Sequence, residues 1–143
     1  MAADDNLKAF MLETSIGAEE ISYVASNRFK VNNKPVAWKI RALNSSEDME
    51  ISNRCKKKTF NQATKTTEIT INQTQYADEL MCKCITYPNL DDAALQDHYN
   101  AVGAADLLKK MLKPGEYADL LRAVQEANGF DVGMDEKVTR AKN

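Results

Sequence analysis

At 143 residues with 43% hydrophobic content, the chain is long enough for one domain with a real core and too short for two comfortable ones. Its 28% charged residues, net charge of -2 and mean hydropathy of -0.51 describe a soluble protein, and no apolar run approaches the ~20 residues needed to span a bilayer. The opening MAADDNLKAF is acidic where a signal peptide would be basic and then apolar, so the chain is expected to stay in the cytoplasm.

Residues 1–18 are expected to form an N-terminal arm, with a short helix over 5–13 that puts Leu7, Phe10 and Met11 on one side. From Glu19 the period changes from helical to alternating. Ile21, Tyr23 and Ala25 alternate with Ser22, Val24 and Ser26, and a second run alternates Val36, Trp38, Ile40 and Ala42 with Lys39 and Arg41. This pattern predicts a β-hairpin turning at Asn32-Asn33, with Pro35 at the start of the second strand, where a missing N–H is tolerated. Trp38 and Ile40, two apart, should share the buried face.

Asn44-Ser45-Ser46 offers N-caps for a helix with Glu47, Asp48 and Glu50 in its first turns and Arg54, Lys56, Lys57 and Lys58 towards its end, in keeping with the helix dipole. Its apolar face is thin, Met49, Ile51 and Cys55, so it should lie on the surface. Thr66 to Ile71 is β-rich and predicts a third strand, closing a region 19–71 of hairpin, surface helix and strand. From Asn72 the chain reads as helical to its end. Tyr76, Ala77, Leu80, Met81, Cys84 and Ile85 form a broad stripe closed by Pro88, followed by a short segment around Leu95 and a helix carrying Leu107, Leu108, Met111 and Leu112.

The last expected helix is the most sharply marked. Pro114 suits its first turn, Glu116 complements the positive end of its dipole, and Tyr117, Leu120, Leu121 and Val124 fall on one face. Asn128-Gly129 supplies the positive-φ stop, and Phe130 stands where an apolar residue folds back on the final turn. The fold class expected is α+β: one domain, a small antiparallel sheet, and a larger helical part over 72–143.

Nothing in the chain announces chemistry. Cys55, Cys82 and Cys84 are an odd set in a chain without an export signal, which favours free thiols. On a helix, positions two apart point about 200° away from each other, so Cys82 and Cys84 make poor co-ligands of one ion. His98, the one histidine, has no evident nucleophile or orienting partner, and Asp91-Asp92 reads as the acidic start of a helix. No nucleotide-binding, zincin or serine-nucleophile motif is present. No catalytic residue, metal or cofactor is expected.

Charge is unevenly distributed. Residues 27–65 carry ten Lys/Arg against three Asp/Glu, a surplus of seven; the other nine Lys/Arg and eighteen Asp/Glu leave nine negative, which together reproduce the net -2. A basic middle could serve nucleic acid, yet no RNA-binding aromatic motif accompanies it.

Several stretches, taken in order, carry a family resemblance. They are Ser26-Asn27-Arg28-Phe29, Val36-Ala37-Trp38-Lys39-Ile40-Arg41, Pro88-Asn89-Leu90 with Leu95-Gln96-Asp97, the run from Leu108 through Lys113-Pro114-Gly115-Glu116-Tyr117, Asn128-Gly129-Phe130, and the terminal Ala141-Lys142-Asn143. Their order and spacing, from about Glu20 to the last residue, resemble the XkdN-like tail assembly chaperones of tailed phages and defective prophages. The chain departs from that pattern at Asn100-Ala101-Val102, where the family would have Gly-Val.

The resemblance implies a non-enzymatic protein of the bacterial cytoplasm. It would bind the tape measure protein, help recruit tail tube protein around it, and be absent from the finished particle. Self-association is a further expectation. Residues expected to meet partners are Leu108, Met111, Leu112, Tyr117, Leu120, Leu121 and Phe130 on the helical part, each with core packing as its competing role, and Lys56, Lys57 and Lys58 in the basic zone. Two other readings stay open: a basic-patch nucleic-acid adaptor, and a small-molecule enzyme with a pocket at His98.

Overall fold

The structure is a computed structural model that describes residues 7, 8, 10, 11 and 20–130. Of the expected N-terminal helix, one turn is described, with the Phe10 N–H donating to the Leu7 carbonyl at 3.0 Å; the rest lies outside the described residues, as does the terminal Ala141-Lys142-Asn143. The fold is α+β, with small antiparallel sheets and five helices among the described residues.

The central sheet has the order β1-β4-β7, with β1 at Glu20–Tyr23, β4 at Trp38–Arg41 and β7 at Ile85–Tyr87. Tyr23 lies opposite Trp38, and Ile40 opposite both Ile21 and Ile85. Alternation on β4 works as expected: Trp38 and Ile40 are buried, whereas Lys39 between them is exposed. On β1 it does not carry through, since Ile21 is exposed on this edge strand and consecutive residues Ala25 and Ser26 are both buried where the strand has ended. The expected turn sits at the tip of a separate ribbon, β2 (Lys30–Val31) with β3 (Lys34–Pro35). Asn32 and Asn33 both adopt positive φ, 52° and 66°, the requirement of the turn type whose twist matches a two-residue hairpin.

Helix α1 (Ser45–Arg54) begins at a capping box in which Asn44 accepts from the Glu47 N–H and Glu47 accepts from the Asn44 N–H. It ends earlier than the charge pattern implies. Lys56, Lys57 and Lys58 are not a helix end; they belong to strand β5 (Lys56–Asn61), which pairs antiparallel with β6 (Thr66–Ile71). After Cys55 there is no apolar residue at helical spacing left to bury, whereas the β-branched run from Thr66 to Ile71 offers a full ladder. The third strand expected at 66–71 is thus half of an independent hairpin, and the third strand of the central sheet is β7. Region 72–143 is therefore not helical throughout: Ile85-Thr86-Tyr87, β-branched and aromatic, leaves the helical stripe to pair with β4.

Helices α2 (Gln73–Cys84) and α5 (Pro114–Ala127) pack on the sheet and α4 (Ala104–Met111) packs on both of them, while α3 (Ala93–His98) is a short connector capped by Asp92. Asn100 takes φ 54° in the following turn, a left-handed position that asparagine tolerates well, so the departure from the family pattern costs little there. The core joins Trp38 and Ile40 to Ile51, Leu80, Met81, Leu107, Leu108, Leu120 and Val124.

Helix α5 ends in a Schellman motif: Phe130 N–H donates to the Gln125 carbonyl, Gly129 N–H donates to that of Glu126, and Gly129 holds φ 80°. Asn128, at the cap, does more. Its Oδ1 accepts from the Leu43 N–H at 2.8 Å, and its Nδ2 donates to the Val124 carbonyl at 2.8 Å and to Cys84 Sγ at 3.4 Å. One side chain therefore joins the exit of β4, the end of α5 and the end of α2. Asn128→Ala should cost about 1–3 kcal/mol, as the part-buried Leu43 N–H loses its partner; urea unfolding of the variant checks this, and Asn128→Asp should recover part of the loss by keeping the acceptor.

Candidate functional site

An apolar cleft of about 420 Å³ lies beside the β2–β3 ribbon. Phe29, Val31 and Val36 form one wall, and Tyr87, Pro88 and Leu95 the other; Trp38 and Met111 lie at its base, with Arg28 and Lys30 at the rim. The walls follow from the fold. The ribbon carries Phe29 outward over Trp38, their ring centroids 6.2 Å apart, and the end of β7 delivers Tyr87 and Pro88 on the far side.

The rim is held by a polar clamp. Arg28 donates to the Met111 carbonyl at 2.7 Å and to Glu116 Oε1 at 2.7 Å, and its guanidinium lies 5.1 Å from the Phe29 ring centroid. Glu116 also accepts from the Lys113 N–H at 2.8 Å, so one carboxylate both caps α5 and anchors the loop after β1. The Ser26 hydroxyl, the Lys113 N–H and Arg28 together hold the Glu116 carboxyl down from its ordinary 4.5 to about 2. A second depression, lined by Lys109, Leu112, Pro114 and Tyr117, lies on the helical side. There the Tyr117 hydroxyl donates to Asp78 at 2.9 Å and Lys109 pairs with the same carboxylate at 2.7 Å; burial and Asp78 push the phenol up to about 12.

The apolar residues named from the sequence divide by burial. Leu108, Met111, Leu112 and Leu120 are core residues, Tyr117 and Leu121 are half-buried, and Phe130 is exposed. Met111 floors the cleft, and Leu112 and Tyr117 line the second depression. Lys56, Lys57 and Lys58 stand exposed on β5, away from both. The residues that sequence reasoning did not select are Phe29, Val31, Val36, Tyr87 and Leu95. Phe29 and Val36 stood in the stretches carrying the family resemblance, but without the third strand at Ile85–Tyr87 there was no opposite wall.

Folding also redistributes the charge surplus of residues 27–65. Arg28 pairs with Glu116, Arg41 with Glu47 and Arg54 with Glu79, so three of its cations are matched by carboxylates, while Lys56, Lys57 and Lys58 make no ion pair among the described residues.

The groups able to do chemistry are occupied otherwise. Cys55 donates its thiol hydrogen to Glu79 at 3.1 Å, and burial with that neighbour pushes it up to about 11. Burial and the nearby Asp78 push Cys82 to about 11, and burial raises Cys84 as well. His98 is exposed and stacks edge-on against Tyr99. Among the described residues no cluster of His, Cys, Asp or Glu could hold a metal ion. The cleft offers an apolar surface, and the three cysteines are held as thiols.

A family model for the phage XkdN-like tail assembly chaperone protein matches residues 7–142. The chain belongs to this family. The chain is also 28% identical over 142 residues to the uncharacterized protein YqbN of Bacillus subtilis (strain 168), covering 96% of this chain and 93% of that protein. The crystal structure of YqbN superposes with a TM-score of 0.68 at 23% identity, over 85% of this chain and 94% of that one, a likeness of fold. Tail assembly chaperones as a family have a non-enzymatic role in general. No helix among the described residues is long and apolar enough to cross a membrane.

Two outcomes follow. Leu120→Ala should cost about 2–5 kcal/mol and Leu121→Ala, at a half-buried position, under about 2, as read by denaturant midpoints. Glu116, whose folded pKa is depressed, contributes stability that is present above about 4.5 and is lost as pH falls towards about 2. Glu116→Gln should be less stable at neutral pH and should flatten the acid limb of the stability profile in that window, measured by urea unfolding at stepped pH.

Proposed function

We propose that the chaperone is non-catalytic, binds the tape measure protein through the apolar cleft, and assists tail tube polymerisation around it. Family membership supports the role, and the cleft supports the mode of binding. Its exposed wall residues, Val31 and Tyr87, offer area that a partner can desolvate, and the Arg28–Lys30 rim suits apolar side chains flanked by carboxylates. The depression at Lys109, Leu112, Pro114 and Tyr117 is a secondary contact for tube protein or a second copy. The chaperone acts in the bacterial cytoplasm and is left out of the finished particle, which suits contacts that must release.

Co-expression with the tape measure protein of the same phage tests the reading. Val31→Asp and Tyr87→Ser alter exposed residues, so each variant should melt within about 0.5 kcal/mol of the parent while capturing at least about tenfold less tape measure protein. Undiminished capture by both folded variants would remove the cleft from the proposal.

A further inference from the structure

The β5–β6 hairpin is an arm. Every residue from Lys56 to Phe60 and from Gln62 to Thr70 is exposed, and the hairpin meets the body at its base, where Cys55 is buried, Ile71 packs on the core and the Asn72 N–H donates to the Cys55 carbonyl at 2.8 Å. An isolated two-stranded hairpin is marginal in water, so this arm depends on its anchored base and on its turn, where Asn61 Oδ1 accepts from the Ala63 N–H and Lys65 takes φ 55°. Both of its edges leave a row of backbone donors and acceptors facing solvent.

Pairing sets the faces. Lys56, Lys58 and Phe60 lie across from Ile71, Ile69 and Thr67, so Phe60 and Ile69 are diagonal neighbours on one face, 59% and 60% exposed, with Lys58 beside them. Over residues 56–71 the arm carries Lys56, Lys57, Lys58 and Lys65 against Glu68 alone. Three consecutive lysines on one edge repel the same edge of a second copy, which disfavours self-pairing along β5. They favour a carboxylate-bearing strand.

We infer that the arm is a β-augmentation site: an extended, acidic segment of a partner protein adds to the β5 edge as a third strand, its backbone bonding to β5, its carboxylates meeting Lys56 and Lys58 on one face and Lys57 on the other, and an apolar side chain packing beside Phe60. The site is separate from the cleft and does not rest on the identity of the tape measure protein. A single exposed aromatic gives single-stranded nucleic acid little to stack on, so charge complementarity here points to protein.

The experiment uses the whole chain, isotopically labelled, and two short synthetic peptides, one with three consecutive glutamates flanked by valines and the other with lysines in place of the glutamates. The acidic peptide should bind saturably, slow amide exchange within 56–61, and lose about tenfold in affinity between low salt and about 0.5 M salt. Reversing Lys56, Lys57 and Lys58 to glutamate should leave the melting temperature nearly unchanged, weaken the acidic peptide by about tenfold and create binding of the basic one. Phe60→Ser should weaken the acidic peptide while keeping its salt dependence. The proposal is overturned if the acidic peptide fails to saturate, if it perturbs Val31 and Tyr87 in place of the arm, if the charge-reversed chain binds it equally, or if oligothymidine occupies the arm and the peptide does not. Tape measure capture by the cleft variants is read separately, so either idea can fail alone.

Discussion

The central sheet has one apolar face, and that face lasts only while helices stay pressed on it. Trp38 and Ile40 on the middle strand are almost wholly withdrawn from water, and α5 packs across β4 as well as α2. A helix over an apolar surface can slide at little cost, because hydrophobic attraction has no direction. Here both ends of α5 are tied by directional bonds. Glu116 and Arg28 fasten its start to the loop after β1, and Asn128 fastens its end to Leu43 and Cys84. The apolar core supplies the attraction, and the polar ties set the register.

That register is what shapes the cleft. Arg28 reaches the Met111 carbonyl as well as Glu116, so the same clamp that starts α5 also places the base of the cleft beneath Phe29. The cleft is thus built from residues whose main occupation is structural, with Val31, Val36 and Tyr87 added on the open side. A surface supported in this way is pre-organised, its walls held by the same bonds that hold the helices in place.

The charges follow a similar division of labour. The arginines of the basic middle segment are drawn into ion pairs, Arg28 and Arg54 with the distant Glu116 and Glu79 and Arg41 with the nearby Glu47, whereas the lysines of the arm remain in solvent. Arginine carries several donors on one rigid plane, and Arg28 uses Nη2 alone to reach both the Met111 carbonyl and Glu116. Lysine keeps its hydration and serves as a mobile surface charge. Two charge populations adjacent in sequence therefore have different work in the folded protein.

Local patterns determined a good deal by themselves. Pro114, Glu116, Asn128 and Gly129 mark the bounds of α5, Asn44 with Glu47 starts α1, Asn32-Asn33 makes a tight turn, and alternation put Trp38 and Ile40 on one face; each is a short-range preference of backbone geometry or dipole. The order of motifs carried the family. What only tertiary structure decided was pairing and exposure. Lys56 to Lys58 could continue a helix or enter a strand, and a ladder partner ten or more residues away settled it. Ile85 to Tyr87 extended a helical stripe on paper, yet the open edge of β4 drew them into the sheet. Leu108, Met111, Leu112 and Leu120 share an amphipathic pattern that serves core and docking face equally well, and their burial depends on what lies across from them, which periodicity along one helix does not encode.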